Sequence, residues 1–177
     1  GRWGRRCWSF WGEHEMKLII TDLLELPFQV EGEYRVIQPR EPIASCAGCF
    51  GCWIKTPGRC VLPDSYRDTG ILMGKTKQLL IVSRCCYGCV SPFVKAVQDR
   101  AISYVHPDFI LREGRMHHKR RYQNRIAISA WFYGEDVTEA EKETARNLIQ
   151  ANNENYGGRV AEVLFFDTPE QMGGMTL

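Results

Sequence analysis

The sequence predicts an α/β fold built on a five-stranded parallel sheet, and three observations carry that reading. Five short runs rich in Ile, Leu, Val and Phe recur at 16–23, 33–39, 77–83, 124–132 and 159–166. They are too continuously apolar for strands that face water on one side. Helix-like segments separate the later runs, which is the alternation that parallel crossovers require. The chain has 177 residues and 44% hydrophobic content, enough for one such domain with a real core.

"MKLIITDL" (16–23) reads as a buried first strand and "EYRVIQP" (33–39) as a second, closed by Pro39. Only about ten residues link them, fewer than a parallel crossover normally takes, so the first helix must be very short or absent. A cysteine-rich loop follows, then a weak helix at 65–75 and the clearest strand, "KQLLIVS", at 77–83. Residues 91–105 form a helix. Ser91 can cap it, Pro92 suits its first position, and Phe93, Val97, Ala101 and Tyr104 share one face. Residues 106–122 read as a polar, basic loop. A strand at 124–132 precedes a helix at 138–152, opened by a capping box of Thr138 and Glu141. The last strand is 159–166, and the tail beyond Pro169 reads as frayed. Ligands in open sheets of this kind sit beyond the carboxyl ends of the strands. The cysteine loop, 83–91 and 131–137 all follow strands, so all three are expected on that rim.

Composition narrows the function classes. The formal charge of +2 gives no field to steer the chain toward nucleic acid or an acidic membrane. No run approaches the ~18 apolar residues of a membrane span, and no Asn-x-Ser/Thr site occurs. Eight cysteines in a chain this long suit a cytoplasmic protein with ligand or redox thiols better than a secreted disulfide scaffold. Gly1–Glu15 carries three Arg and three Trp without an apolar signal core. It is expected to be an N-terminal extension, disordered or artificial, before a domain at 16–169 and a tail at 170–177. Cys7 lies in it and is given no role.

The chemistry concentrates in "SCAGCFGCWIKTPGRC" (45–60). Cys46, Cys49, Cys52 and Cys60 offer four thiolates at spacings that let a tight backbone curl around one inorganic core. Ala47, Gly48 and Gly51 leave room for the curl, and Pro57-Gly58 suits a type II turn that returns Cys60. A [4Fe–4S] cluster, a redox disulfide, a zinc site and plain packing of reduced cysteines all remain open. Zinc could also be held by the 49/52 and 86/89 pairs. Cys85, Cys86 and Cys89 precede the helix at Pro92, where a thiol can be reactive or simply buried.

Taken together, "CAGCFGCWIKTPGRCVLPD" (46–64) and "SRCCYGCVSPFVKAVQDR" (83–100) resemble the flavodoxin-like NAD(P)H-dependent FMN reductases, including the iron–sulfur flavoproteins. The resemblance covers residues 16–166. It implies a three-layer α/β/α sandwich with strand order 2-1-3-4-5. It also implies electron transfer through FMN, with a small-molecule electron donor, NAD(P)H, and a small-molecule acceptor. Cys46, Cys49, Cys52 and Cys60 would hold the cluster. Arg84, Tyr87, Gly88, Ser91, Trp131, Tyr133 and Gly134 would line the flavin. A homodimer or homotetramer is implied, with no nucleic-acid or membrane partner. The chain departs from the family after the first strand, where "IITDLLELPF" replaces the Gly- and Ser-rich phosphate loop. Two alternatives follow: a non-catalytic binding module that has lost the phosphate loop, or a cysteine-based metal or redox sensor. The basic segment Arg112–Arg125 is a solvated face or a substitute phosphate clamp. "GILMGKT" lacks the spacing of a phosphate loop, and His117-His118 has no third ligand at a metal spacing.

Overall fold

The computed structural model describes residues 16–177, so the extension and Cys7 lie outside the described residues. Five strands form one parallel sheet: β1 (Lys17–Thr21), β2 (Tyr34–Ile37), β3 (Gln78–Arg84), β6 (Ala127–Tyr133) and β7 (Arg159–Phe166). Its order is β2-β1-β3-β6-β7, and every neighbouring pair is parallel. The expected numbering 2-1-3-4-5 fails because the chain has two further strands. β4 (Val105–Arg112) and β5 (Arg115–Arg120) form a separate antiparallel hairpin where a basic loop was expected. Glu113 and Gly114, both at positive φ (50° and 75°), make the two-residue turn that such hairpins favour. Phe109, Leu111 and Met116 on this hairpin are exposed.

The strands alternate strictly between two cores. Leu18, Ile20, Leu79, Ile81, Ile128, Ala130 and Phe132 face one way. Three helices pack on that face: α2 (Thr69–Lys75) through Met73, α3 (Pro92–Arg100) through Val94 and Val97, and α4 (Glu139–Tyr156) through Ala145 and Ile149. The expected caps form. Ser91 accepts a hydrogen bond from Val94 N, and Thr138 and Glu141 close their reciprocal box at the head of α4.

The opposite face, with Ile19, Leu80, Val82 and Trp131, is covered by the 22–33 crossover and the C-terminal segment, including the 3-10 turn Pro169–Met172, rather than by an α-helix. Phe28 from the 22–33 crossover lies edge-on to Trp131, with ring centroids 4.9 Å apart. Met172, Met175 and Leu177 complete that layer. Leu177 N donates to Gln29 O at 3.0 Å and Gln29 N donates to Met175 O at 3.2 Å. The tail is therefore docked rather than frayed, clasping the crossover as a short parallel pair. The fold is α/β with a mostly parallel sheet, but its second outer layer holds no α-helix among the described residues, only a 3-10 turn and irregular chain. The 22–33 link is parallel and helix-free, as its shortness requires.

Candidate functional site

The cysteine segment is irregular apart from α1 (Gly51–Ile54), a single turn entered through Phe50 in the left-handed region (φ 58°). A Cβ on Gly51 would stand 2.5 Å from Val61 Cγ1 and 3.5 Å from Cys49 Sγ. Glycine there lets the Cys49–Cys52 turn lie directly on the returning strand of the loop. Gly58, at φ 88°, donates to Cys52 O at 3.0 Å, and Cys60 N is held by Arg67 O at 2.9 Å. Cys46, Cys49, Cys52 and Cys60 all line one cavity, of about 860 Å³.

The four thiols form a gradient. Cys46 and Cys49 are exposed, Cys52 is half-buried and Cys60 is buried. Burial pushes the Cys52 thiol up, and the neighbouring Cys60, Cys46 and Cys49 push it further. Among the described residues, no three His, Cys, Asp or Glu side chains sit at the spacing of a single metal ion.

The cavity is not at the expected rim. Its remaining walls are Gln98 and Asp99 of α3, Leu148 and Asn152 of α4, and the chain at Ala101–Val105. Both helices run back against the strands, so the cavity lies toward the amino-terminal end of the sheet, outside the helical layer. The loop leaves β2 at the carboxyl end but crosses the helices to reach it. Trp53 fixes this course by donating Nε1–H to Val105 O at 3.0 Å, and its ring lies 5.4 Å from His118 of the hairpin.

The innermost wall carries a buried cation. The Arg100 side chain is fully buried and pairs through both terminal nitrogens with Asp64, with Nη2 to Oδ1 at 2.8 Å. Burial opposes the charge on Arg100, but hydrogen bonding to Asp64 and to the Cys60 thiol outweighs it. The same contact holds the Asp64 carboxyl below its ordinary value. Arg100 Nε and Gln98 Nε2 are buried without a hydrogen-bond partner among the described residues. An orphaned donor on a buried cation is costly unless something accepts from it.

Of the seven residues expected around a flavin, Arg84 and Tyr133 pair at the carboxyl ends of β3 and β6 with Gly134 next to them, but the seven share no cavity. None lines the large cavity, and Gly134 alone lines a smaller one of about 270 Å³. Trp131 is buried in mid-sheet and donates to Glu162 Oε1 at 2.8 Å. Ser91 is committed to its cap. Gly88 lies against α4, where a Cβ would meet Thr144 Cβ at 2.6 Å. Tyr87 projects into solvent with 92% exposure. At the end of β1, where the family places its phosphate loop, Asp22 accepts from Arg84 N at 3.0 Å and from the Tyr133 hydroxyl at 3.1 Å. A carboxylate in that place repels a phosphate, so these residues do not fit FMN.

The substitute clamp is also committed elsewhere. Arg112 and Arg115 bond Glu154, Arg121 Nε donates to Ser103 O at 2.8 Å, and Arg120 bonds Asn124 O. Cys86 and Cys89 take no part in the cavity, so the mixed zinc site from two Cys pairs does not assemble there. Arg100, Asp64 and Gln98 are site residues that sequence reasoning missed; the only trace was an Arg ending a helix beside a Pro-Asp pair. No family model matches the chain, and no curated protein matches it. Among the described residues, no helix is long and apolar enough to cross a membrane.

Proposed function

We propose that this chain is an electron-transfer protein in which Cys46, Cys49, Cys52 and Cys60 hold a [4Fe–4S] cluster on a flavodoxin-like scaffold. The observation that supports it most is that four thiols from one short segment line one cavity, with a buried guanidinium beside the innermost. The donor set fits. Short Cys-x2-Cys spacings are the usual thiolate frame for such clusters.

When bound, such a cluster supplies one-electron transfer at a potential set by net charge, hydrogen bonds to sulfur and exposure. The chain's own residues act on each of these. Arg100 places a buried cation beside Cys60 and offers an Nε–H that has no partner among the described residues. Phe50 and Trp53, with rings 5.4 Å apart, line the same cavity as the outer thiols. Cys52 must lose a proton that its surroundings hold, so ligation weakens as pH falls.

Anaerobic reconstitution with ferrous iron and sulfide tests the reading. Iron and sulfide in cluster stoichiometry are expected, with loss of both in the Cys→Ser variants at 46, 49, 52 and 60. Zinc without sulfide, or no retained metal, rejects it.

A further inference from the structure

We propose that Cys86 and Cys89 form a dithiol–disulfide exchange site, separate from the 46–60 loop, whose substrate is a low-molecular-weight disulfide. The two residues face each other as an antiparallel bridge across a two-residue turn. Cys86 N donates to Cys89 O at 2.8 Å and Cys89 N to Cys86 O at 2.9 Å. A pair that exchanges both bonds holds its Cα atoms about 5.5 Å apart with side chains on the same side. That is inside the roughly 4.4–6.8 Å window that a disulfide spans. Both thiols are free and both are partly open to solvent.

The backbone is bent to make this arrangement. Tyr87 and Gly88 both take positive φ, 54° and 75°, as a type I′ turn demands. A bulky non-glycine residue is uncommon there and strained. Gly88 is seated on α4 so closely that any side chain would strike Thr144 and Glu141 O. The turn is thus held from beneath, with the two cysteines paired across it, and accessible disulfides are the labile ones that exchange.

Cys85 is not the partner. Its sulfur accepts from the Gly88 amide, and burial pushes its thiol up, leaving it protonated and weakly nucleophilic. Cys89 packs against the core while Cys86 does not, so Cys86 is the outer thiol. In the exchange, the Cys86 thiolate attacks one sulfur of R–S–S–R and forms a Cys86–S–S–R mixed disulfide, expelling RS⁻. The Cys89 thiolate then attacks the Cys86 sulfur and expels the second RS⁻. The two protons lost by the cysteines end on the two RSH products. Two electrons pass from the dithiol to the small disulfide.

The test is equilibration of the full chain with glutathione disulfide, alkylation, and mapping of tryptic peptide 85–95, which separates these thiols from those of the 46–60 loop. The expected result is paired loss of two thiols with the bond between Cys86 and Cys89. The Cys85→Ser chain should match wild type within two-fold. Cys89→Ser should lose the internal bond and trap one glutathione on Cys86, whereas Cys86→Ser should lose the internal bond and trap little. A fully alkylated wild-type peptide, or a bond that maps to Cys85, overturns the proposal without reliance on any variant. Unchanged thiol loss in Cys86→Ser overturns it as well.

Discussion

Asp64 grips Arg100 through both carboxylate oxygens, and that grip ties the returning end of the cysteine loop to the last turn of α3. The Arg100 side chain is fully buried, while Asp64 keeps 22% of its exposure. Removing the carboxylate leaves the guanidinium buried without its counter-charge. Asp64→Asn should therefore destabilise the fold by about 3 kcal/mol, the lower end for breaking a buried pair. Urea unfolding midpoints with unchanged slopes would measure it. A loss near zero would mean that the pair does not anchor the loop.

The same pair predicts an acid limb. Asp64 has a folded-state pKa below its unfolded value, chiefly because Arg100 hydrogen-bonds the ionised form. Its contribution is complete above the ordinary carboxylate pKa and is lost as pH falls through the depressed one. The stability gap between wild type and Asp64→Asn should hold steady from neutral pH down to about pH 4, then close. A gap that widens on acidification would contradict this.

Tyr87 holds a left-handed backbone while its side chain touches almost nothing. Tyr87→Asn should cost no packing and relieve strain, since Asn tolerates that region. We expect a gain of roughly 0.5–1 kcal/mol, read from thermal or urea unfolding. Marked destabilisation would show that the aromatic ring has a contact partner.

Gly88→Ala should behave oppositely. The added methyl meets Thr144 Cβ at 2.6 Å and Glu141 O at 2.9 Å, at a φ of 75° that alanine resists. A loss of about 2 kcal/mol or more is expected from overpacking and backbone strain together. Faster hydrogen exchange at the head of α4 should accompany it.

Asp22 and Tyr133 give a spectroscopic check on the blocked rim. Burial raises the Tyr133 phenol pKa, and the adjacent Asp22 raises it further. Asp22→Asn should bring its ionisation to lower pH, visible as phenolate absorbance that disappears in Tyr133→Phe. An unmoved titration would remove Asp22 from the rim.

The sheet was legible because its strands are continuously apolar, and both long helices because Ser91-Pro92 and Thr138/Glu141 are explicit start signals. The spacing also anticipates that the four loop cysteines border one cavity, although among the described residues no three of them gather as a metal-holding group. The hairpin was not, because Phe109–Leu111 sits among His, Arg and Lys residues that read as a solvated loop. Its turn, Glu113-Gly114, lacks the usual Asn or Asp before the glycine. The location of the cysteine cavity was also hidden. A rule about strand ends says where a loop begins, but it does not say that Trp53 will reach Val105 and draw the loop across the helices. Arg100 lay within the 83–100 stretch of the family resemblance without a role of its own; only burial reveals it as the inner wall of a site.

The clasp between Gln29 and the segment 175–177 joins parts of the chain separated by nearly the whole domain. Contacts of such long range form late, because the loop between them must close first. The helical face needs only successive crossovers, whereas the Trp131 face stays open until residues 172–177 have been synthesised. A chain emerging from the ribosome should consolidate one side of its sheet well before the other. Pulse-labelled hydrogen exchange should find the amides of α3 and α4 protected before those of the 22–33 crossover.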